Sequence, residues 1–274
     1  MGSPMLPNET HNPAPAWVLD YRQLGAQIPR ELAVETAVNL VYGAIPFAVM
    51  MTTPADLIDF AYGFSLTEGI IQDAADILVV DELAEALGLR LNIALKPSRM
   101  QAHLARKRAL SGRTGCGLCG IEDLKALPQA TPAAQGAFQL APAAIARALG
   151  ALEQHQPLND ITRAVHAAAF FDADGTLVAV REDVGRHNAL DKLIGALLRA
   201  GREAGDGFIV ITSRCSFEMV EKAAVFGARA LVSVSAPTSL AVARAKAHNM
   251  ALVAVARRDS ALVFQGENFI GSEP

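Results

Sequence analysis

The pattern of apolar positions changes character along the chain. Val41 to Thr52 is apolar around Gly43 and Pro46, which predicts a strand, a turn and a second strand. Thr53 can then cap a helix, with Pro54 at its first position and Asp56 in its first turn. Leu57, Phe60, Ala61 and Phe64 recur at i, i+3, i+4 and i+7 until Gly69, so one face of that helix should pack on a core. Leu89, Leu91, Ile93 and Leu95 alternate with Arg90, Asn92 and Ala94, the mark of a half-buried strand that stops at Pro97.

The second half reads differently. Val165 to Phe171, a turn at Asp172 to Gly175, and Leu177 to Val180 predict a hairpin, followed by a helix with Leu190, Leu193, Ile194 and Leu197 on one face. Phe208 to Ile211, Leu231 to Val234 and Ala251 to Val255 are short unbroken apolar runs. Helical stretches near Phe217 to Phe226 and Ser239 to Ala247 separate them. Such strands are buried on both faces, as in an α/β/α sandwich. The expected organisation is therefore a flexible tail (1–16), an α+β domain (17–127) ending in a mobile loop (111–121), a Pro- and Ala-rich linker (128–136) and an α/β domain (137–274).

Composition sharpens this picture. Apolar residues make up 51% of the chain and aromatics only 5%, so the core must be built from Ala, Val, Leu and Ile, and disorder over the whole length is excluded. Mean hydropathy is +0.26, yet no apolar run approaches the roughly 20 residues of a bilayer helix. A net charge of −4 offers no global field for nucleic acid or an anionic membrane, so neither is an expected partner. Residues 1–16 hold four prolines (Pro4, Pro7, Pro13, Pro15) and neither Lys, Arg nor an apolar stretch. They read as a loose tail rather than a signal peptide, and a cytoplasmic protein is expected.

Three cysteines are too few for a secreted disulfide scaffold. Cys116 and Cys119 form a C-x-x-C pair between Gly115 and Gly120, just after a stretch with six basic residues (Lys96, Arg99, Arg106, Lys107, Arg108, Arg113) and no acidic one. A positive neighbourhood favours the thiolate. Three chemistries fit. Tetrahedral zinc would need two more ligands, and only Cys215 and scattered histidines remain. A thioredoxin-type dithiol would prefer a helix N-terminus to a glycine-rich loop, and a sulfur carrier would use the loop's reach. Cys215, between a buried strand and a helix, reads as a packing residue, and His166, inside an apolar strand, as a core histidine.

Ligands in open α/β sheets collect beyond the carboxyl ends of strands. Three polar clusters fall there: Arg181, Glu182 and Asp183; Thr212, Ser213 and Arg214; and Ser235, Pro237, Thr238 and Ser239. Together they describe a phosphate or nucleotide pocket, although Asp183, Ser216 and Thr238 would also serve as helix caps. Arg186 and His187 open the polar entry to the helix that follows.

The stretches Arg181 to Gly195 (REDVGRHNALDKLIG), Thr212 to Ala223 (TSRCSFEMVEKA) and Ser233 to Val242 (SVSAPTSLAV), with the CGLCG loop, carry a family likeness. Weaker matches lie in Glu31 to Val38 and Thr53 to Ile71. The chain resembles the formate dehydrogenase accessory sulfurtransferases, the FdhD/NarQ family. The resemblance implies a carrier that takes persulfide sulfur from a cysteine desulfurase. It would deliver that sulfur to the molybdenum bis-guanine-dinucleotide cofactor, which then enters the formate dehydrogenase catalytic subunit. It implies Cys116 as the sulfur-bearing residue and Cys119 as its loop partner. Cofactor contacts are expected from Val255, Ala256, Arg257, Arg258, Asp259 and Ser260, joined by Arg181, Asp183, Arg186, His187, Ser213, Arg214, Ser235 and Thr238.

It also implies a cytidine-deaminase-like second domain. The zinc deaminase signature is missing: His166 is followed by two alanines and no P-C-x-x-C occurs, so no bound zinc is expected. Two departures stand out. Arg163 follows Thr162 where the family usually has glycine, and Ser260 stands where the family's C-terminal segment carries arginine. A non-catalytic cofactor chaperone is the competing reading, and whether the protein pairs as a homodimer is left open.

Overall fold

The computed structural model describes residues 9–109, apart from 20, 22 and 23, and residues 139–271. The C-x-x-C loop and the expected linker lie outside these residues. The chain opens with an antiparallel ribbon, β1 (His11–Leu19) and β2 (Leu24–Ala33). β3 (Thr36–Tyr42), β4 (Ile45–Thr52), β5 (Ile77–Glu85) and β6 (Gly88–Leu95) form a four-stranded sheet in the order β4-β3-β6-β5. The turn between β3 and β4 places Gly43 and Ala44 at φ 54° and 68°, the paired left-handed geometry that suits a two-residue hairpin. Helix α1 (Leu57–Thr67) follows β4, and α2 (Pro97–Ala109) follows β6, so Pro97 opens a helix as well as ending a strand.

The second half begins with α3 (Pro142–Glu153) and α4 (Pro157–Thr162). A six-stranded sheet is then built from β7 (His166–Asp172), β8 (Leu177–Asp183), β9 (Gly207–Ile211), β10 (Ala230–Ser233), β11 (Ala251–Ala254) and β12 (Leu262–Gln265). Its order is β12-β11-β10-β9-β7-β8, with β9, β10 and β11 parallel and β7 antiparallel to both β8 and β9. Helices α5 (Arg186–Arg199), α6 (Phe217–Phe226) and α7 (Ser239–Ala247) supply the intervening segments. The fold is mixed α/β.

The central strands β9, β10 and β11 are buried on both faces, as the unbroken apolar runs predict, while β12 at one edge is largely exposed. On one side α3 covers Ala167, Ala169, Phe171, Phe208, Val210, Val232 and Val253. On the other, Ala168, Phe170, Ile209, Ile211, Leu231 and Leu252 meet α5, α6 and α7. That second core continues into α1 and the inner face of the small sheet, where Val38, Leu40, Phe60, Phe64, Leu91 and Ile93 belong to the same apolar cluster. The two halves therefore share one core, with α1 packed on α5.

Two expectations change. β1 begins at His11, inside the stretch read as a loose tail. Pro15 faces Pro29 in register and Pro13 lies two positions away, so all three share one parity of the ladder. At non-hydrogen-bonded pairs a missing N–H costs nothing, which lets a proline-rich segment pair. Helix α1 also starts later than its capping signal suggests. Its N-cap is Asp56, at φ 54°, and Thr53 is engaged elsewhere. Arg163, the departure from the family's glycine, ends α4 at φ 57° and ψ 26°, the left-handed region that glycine enters freely and other residues at some cost.

Candidate functional site

β8 runs parallel to β9, β10 and β11, because each of β8 and β9 is antiparallel to the β7 between them. Their carboxyl ends consequently share one edge of the sheet. Arg186 and His187 stand there at the start of α5, with Ser213 and Arg214 after β9, Ser235 and Thr238 after β10, and Val255 to Ser260 after β11. The chain segments that follow β8, β9, β10 and β11 are thereby brought to one edge.

The loops are stitched to one another by backbone bonds. Cys215 N donates to Ala236 O (3.2 Å), Thr238 N to Cys215 O (2.9 Å), Val255 N to Ser235 O (3.2 Å) and Ala256 N to Ser233 O (3.1 Å). The buried Ser233 hydroxyl lies 2.9 Å from both Ser213 O and Ser235 O. Ala167 N donates to Thr212 Oγ1 (2.9 Å), which ties the rim to β7. Thr238 caps α7, accepting from Ala241 N at 3.2 Å. Val255 holds φ 53°, an uncommon conformation for a β-branched residue, of the kind retained where surrounding structure enforces it.

The rim's cations differ in how far they are committed. Arg257 folds back, its Nη1 donating to Val234 O (2.5 Å) and Ala256 O (2.9 Å), and Arg258 pairs with Glu153 at the end of α3. Arg214 is exposed. Arg186 presents a buried Nε with no hydrogen-bond partner. An unpaired buried donor is costly unless something answers it, and an anion is the natural answer. Next to it, burial, with the Arg186 charge adding to it, holds His166 below the usual histidine range. His187 Nε2 lies 2.9 Å from Glu218 Oε2, and burial lowers its pKa while the Glu218 carboxylate opposes the shift.

Two residues expected in the pocket hold the scaffold instead of lining the rim. Arg181 turns to α1, with Nε and Nη2 donating to Asp59 Oδ2 at 2.9 and 2.7 Å and Asp56 at 3.5 Å. Arg199 of α5 pairs with the same Asp59. Asp183 is fully buried and ion-paired with the equally buried Lys192 at 2.6 Å. Burial pushes the Lys192 pKa down, against the pull of Asp183. Lys192, Asn188 and Glu218 were not singled out by sequence, and Thr53 was read only as a helix cap. Asn188 and Lys192 lie one turn apart and, with Asp191, are polar residues among the buried apolar positions of α5, the signal that could have found them.

Cys215 is a packing residue, as expected: it is fully buried, and burial pushes its thiol up to about 12. Cys116 and Cys119 lie beyond the end of α2, outside the described residues. Among the described residues no group of three His, Cys, Asp or Glu gathers as a metal ligand set, and no helix is long and apolar enough to cross a membrane.

Comparison with known proteins agrees with the motifs. The chain is 46% identical over 239 residues to the sulfur carrier protein FdhD of Xanthomonas axonopodis pv. citri (strain 306), covering 87% of this chain and 85% of that one. It is 43% identical over 233 residues to the sulfur carrier protein FdhD of Bordetella petrii, covering 85% and 84%. A crystal structure described as a formate dehydrogenase accessory protein, from Desulfotalea psychrophila, superposes with a TM-score of 0.75 at 25% identity, over 96% of this chain and 100% of that one. The family model described as the FdhD/NarQ family matches residues 33–270, and the chain belongs to that family.

Proposed function

We propose that this protein is a cytoplasmic sulfur carrier for the maturation of formate dehydrogenase. Cys116 takes sulfur from a cysteine desulfurase. Its thiolate attacks the terminal sulfur of the donor's persulfide, so a persulfide forms on Cys116 and the donor leaves as its thiolate. The acceptor is the molybdenum bis-guanine-dinucleotide cofactor, held as substrate on the strand-end rim and destined for the catalytic subunit of formate dehydrogenase. Cys119 is the loop partner of Cys116. The names carried by the relatives support the carrier role. The order β8-β7-β9-β10-β11 with β7 reversed supports a cytidine-deaminase-like second half.

The observation that carries the cofactor half is the buried Arg186 Nε without a partner, set among the loop ends of three parallel strands. Pyrophosphate oxygens would meet Arg186 and the free N–H groups of α5's first turn, with Arg214, Ser213 and Ser235 within the same rim. Calorimetric titration of the full chain with GDP tests it. Binding that weakens in Arg186→Gln is expected. No heat at millimolar GDP would contradict it.

A further inference from the structure

Thr53 belongs to the first half of the chain, between β4 and α1, yet its polar atoms serve the turn that opens α5. Its N–H donates to Asp183 Oδ2 (2.9 Å), its carbonyl accepts from Lys192 Nζ (2.8 Å) and its Oγ1 accepts from Val184 N (3.1 Å). Thr53 is 1% exposed, and Asp183 and Lys192 are wholly buried. The other Asp183 oxygen takes Gly185 N (2.7 Å) and Asn188 Nδ2 (3.1 Å), and Asn188 Nδ2 also reaches Met51 O (2.8 Å).

The turn needs this outside support. The N-cap of α5 is Gly185, which offers no side-chain cap, and a Cβ there would stand 2.7 Å from Asn188 Nδ2 and 3.3 Å from Asp183 Oδ1. Arg186 comes next, with its buried Nε held by no partner of its own. Arg186 leaves the chain directly after that turn, so the backbone of residues 184 and 185 sets where its side chain starts, and Thr53 receives the Val184 N–H.

We infer that Thr53 is a positioning residue for nucleotide binding, acting through Val184 and Asp183 on Arg186 and His187. Through it, the half that leads to the cysteine loop shapes the site of the other half. The inference rests on the proposal that the rim binds the guanine-nucleotide end of the cofactor, and it deepens that proposal by adding a residue outside the rim.

The test is calorimetry of the full chain with GDP, at a temperature where every variant is folded. Thr53→Val keeps the shape but takes the Oγ1 acceptor from the partly buried Val184 N–H, and GDP affinity is expected to fall about tenfold. Thr53→Ser restores the acceptor and should bind within about twofold of wild type. Thr53→Ala carries the same test if the valine variant does not fold. Arg199→Ala removes a contact between the halves, at Asp59, without touching the turn. It should lower Tm and leave GDP affinity unchanged. Wild-type affinity in Thr53→Val, or an equal loss in Arg199→Ala, overturns the inference while leaving the rim proposal standing. Absence of GDP binding by wild type removes the rim proposal itself, and the inference with it.

Discussion

Gly63 of α1 and Gly195 of α5 meet backbone to backbone where the two halves of the chain join. A Cβ on Gly63 would stand 1.7 Å from Asp191 O, and one on Gly195 would stand 1.8 Å from Asp59 O and 2.8 Å from Gly63 N. No side chain can yield at such a contact, so a methyl group must push the helices apart. Separation would also strain the pairing of Asp59 with Arg181 and Arg199. Gly195→Ala is expected to cost at least about 3 kcal/mol, read as a lowered denaturant midpoint. Gly150→Ala, within α3 where a Cβ meets nothing within 4 Å, is the control and should be neutral or stabilising by up to about 1 kcal/mol.

Cys215 should be inert. Its thiol, pushed up to about 12 by burial, holds almost no thiolate near neutral pH. Native protein treated with iodoacetamide at about pH 8 should show no label on the Cys215 peptide and full label after denaturation. Cys215→Ala should still take up sulfur. Rapid native labelling of Cys215 would place it among the reactive thiols.

Much of this was legible in the sequence, for identifiable reasons. Strands β9, β10 and β11 announce themselves because a strand buried on both faces has no polar alternation; of the expected caps Thr238 serves α7, whereas Ser216 makes no side-chain cap to α6. The proline parity that lets β1 form leaves no hydrophobic period to read. Arg181 and Asp183 were placed correctly along the chain and misjudged in direction. Strand pairing decides which groups face solvent, and Asp183 faces Lys192 and Thr53, the latter 130 positions away. Such a contact has no local signature.

Proton linkage gives the rim a pH signature. Burial, and then the Arg186 charge, hold His166 below the usual histidine value of about 6.5. A phosphate-bearing ligand on Arg186 offsets that charge and raises the His166 pKa. The complex then binds more protons than the free protein, so GDP affinity should rise as pH falls through the window just below about 6.5. The His166 ring resonances, followed by NMR with and without GDP, check the sign. A titration midpoint unmoved or lowered by GDP would place the ligand away from Arg186.

Protein purified without chelator should hold no stoichiometric zinc. The H-x-E pattern is missing at His166, and the C-x-x-C pair precedes the second half of the chain rather than following that histidine. A zinc site would have to take both Cys116 and Cys119, leaving no free thiolate for sulfur. Elemental analysis decides. One tightly held zinc per chain, lost on mutating Cys116 or Cys119, would replace sulfur carriage with a metal site.

The central claim is that sulfur rides on Cys116, and intact mass spectrometry after incubation with a cysteine desulfurase and cysteine tests it most directly. Wild type should gain the mass of one sulfur atom, removable by a thiol reductant, and Cys116→Ala should gain none. An unchanged adduct in Cys116→Ala would contradict the assignment, and a wild type that never gains sulfur would leave the protein a cofactor chaperone.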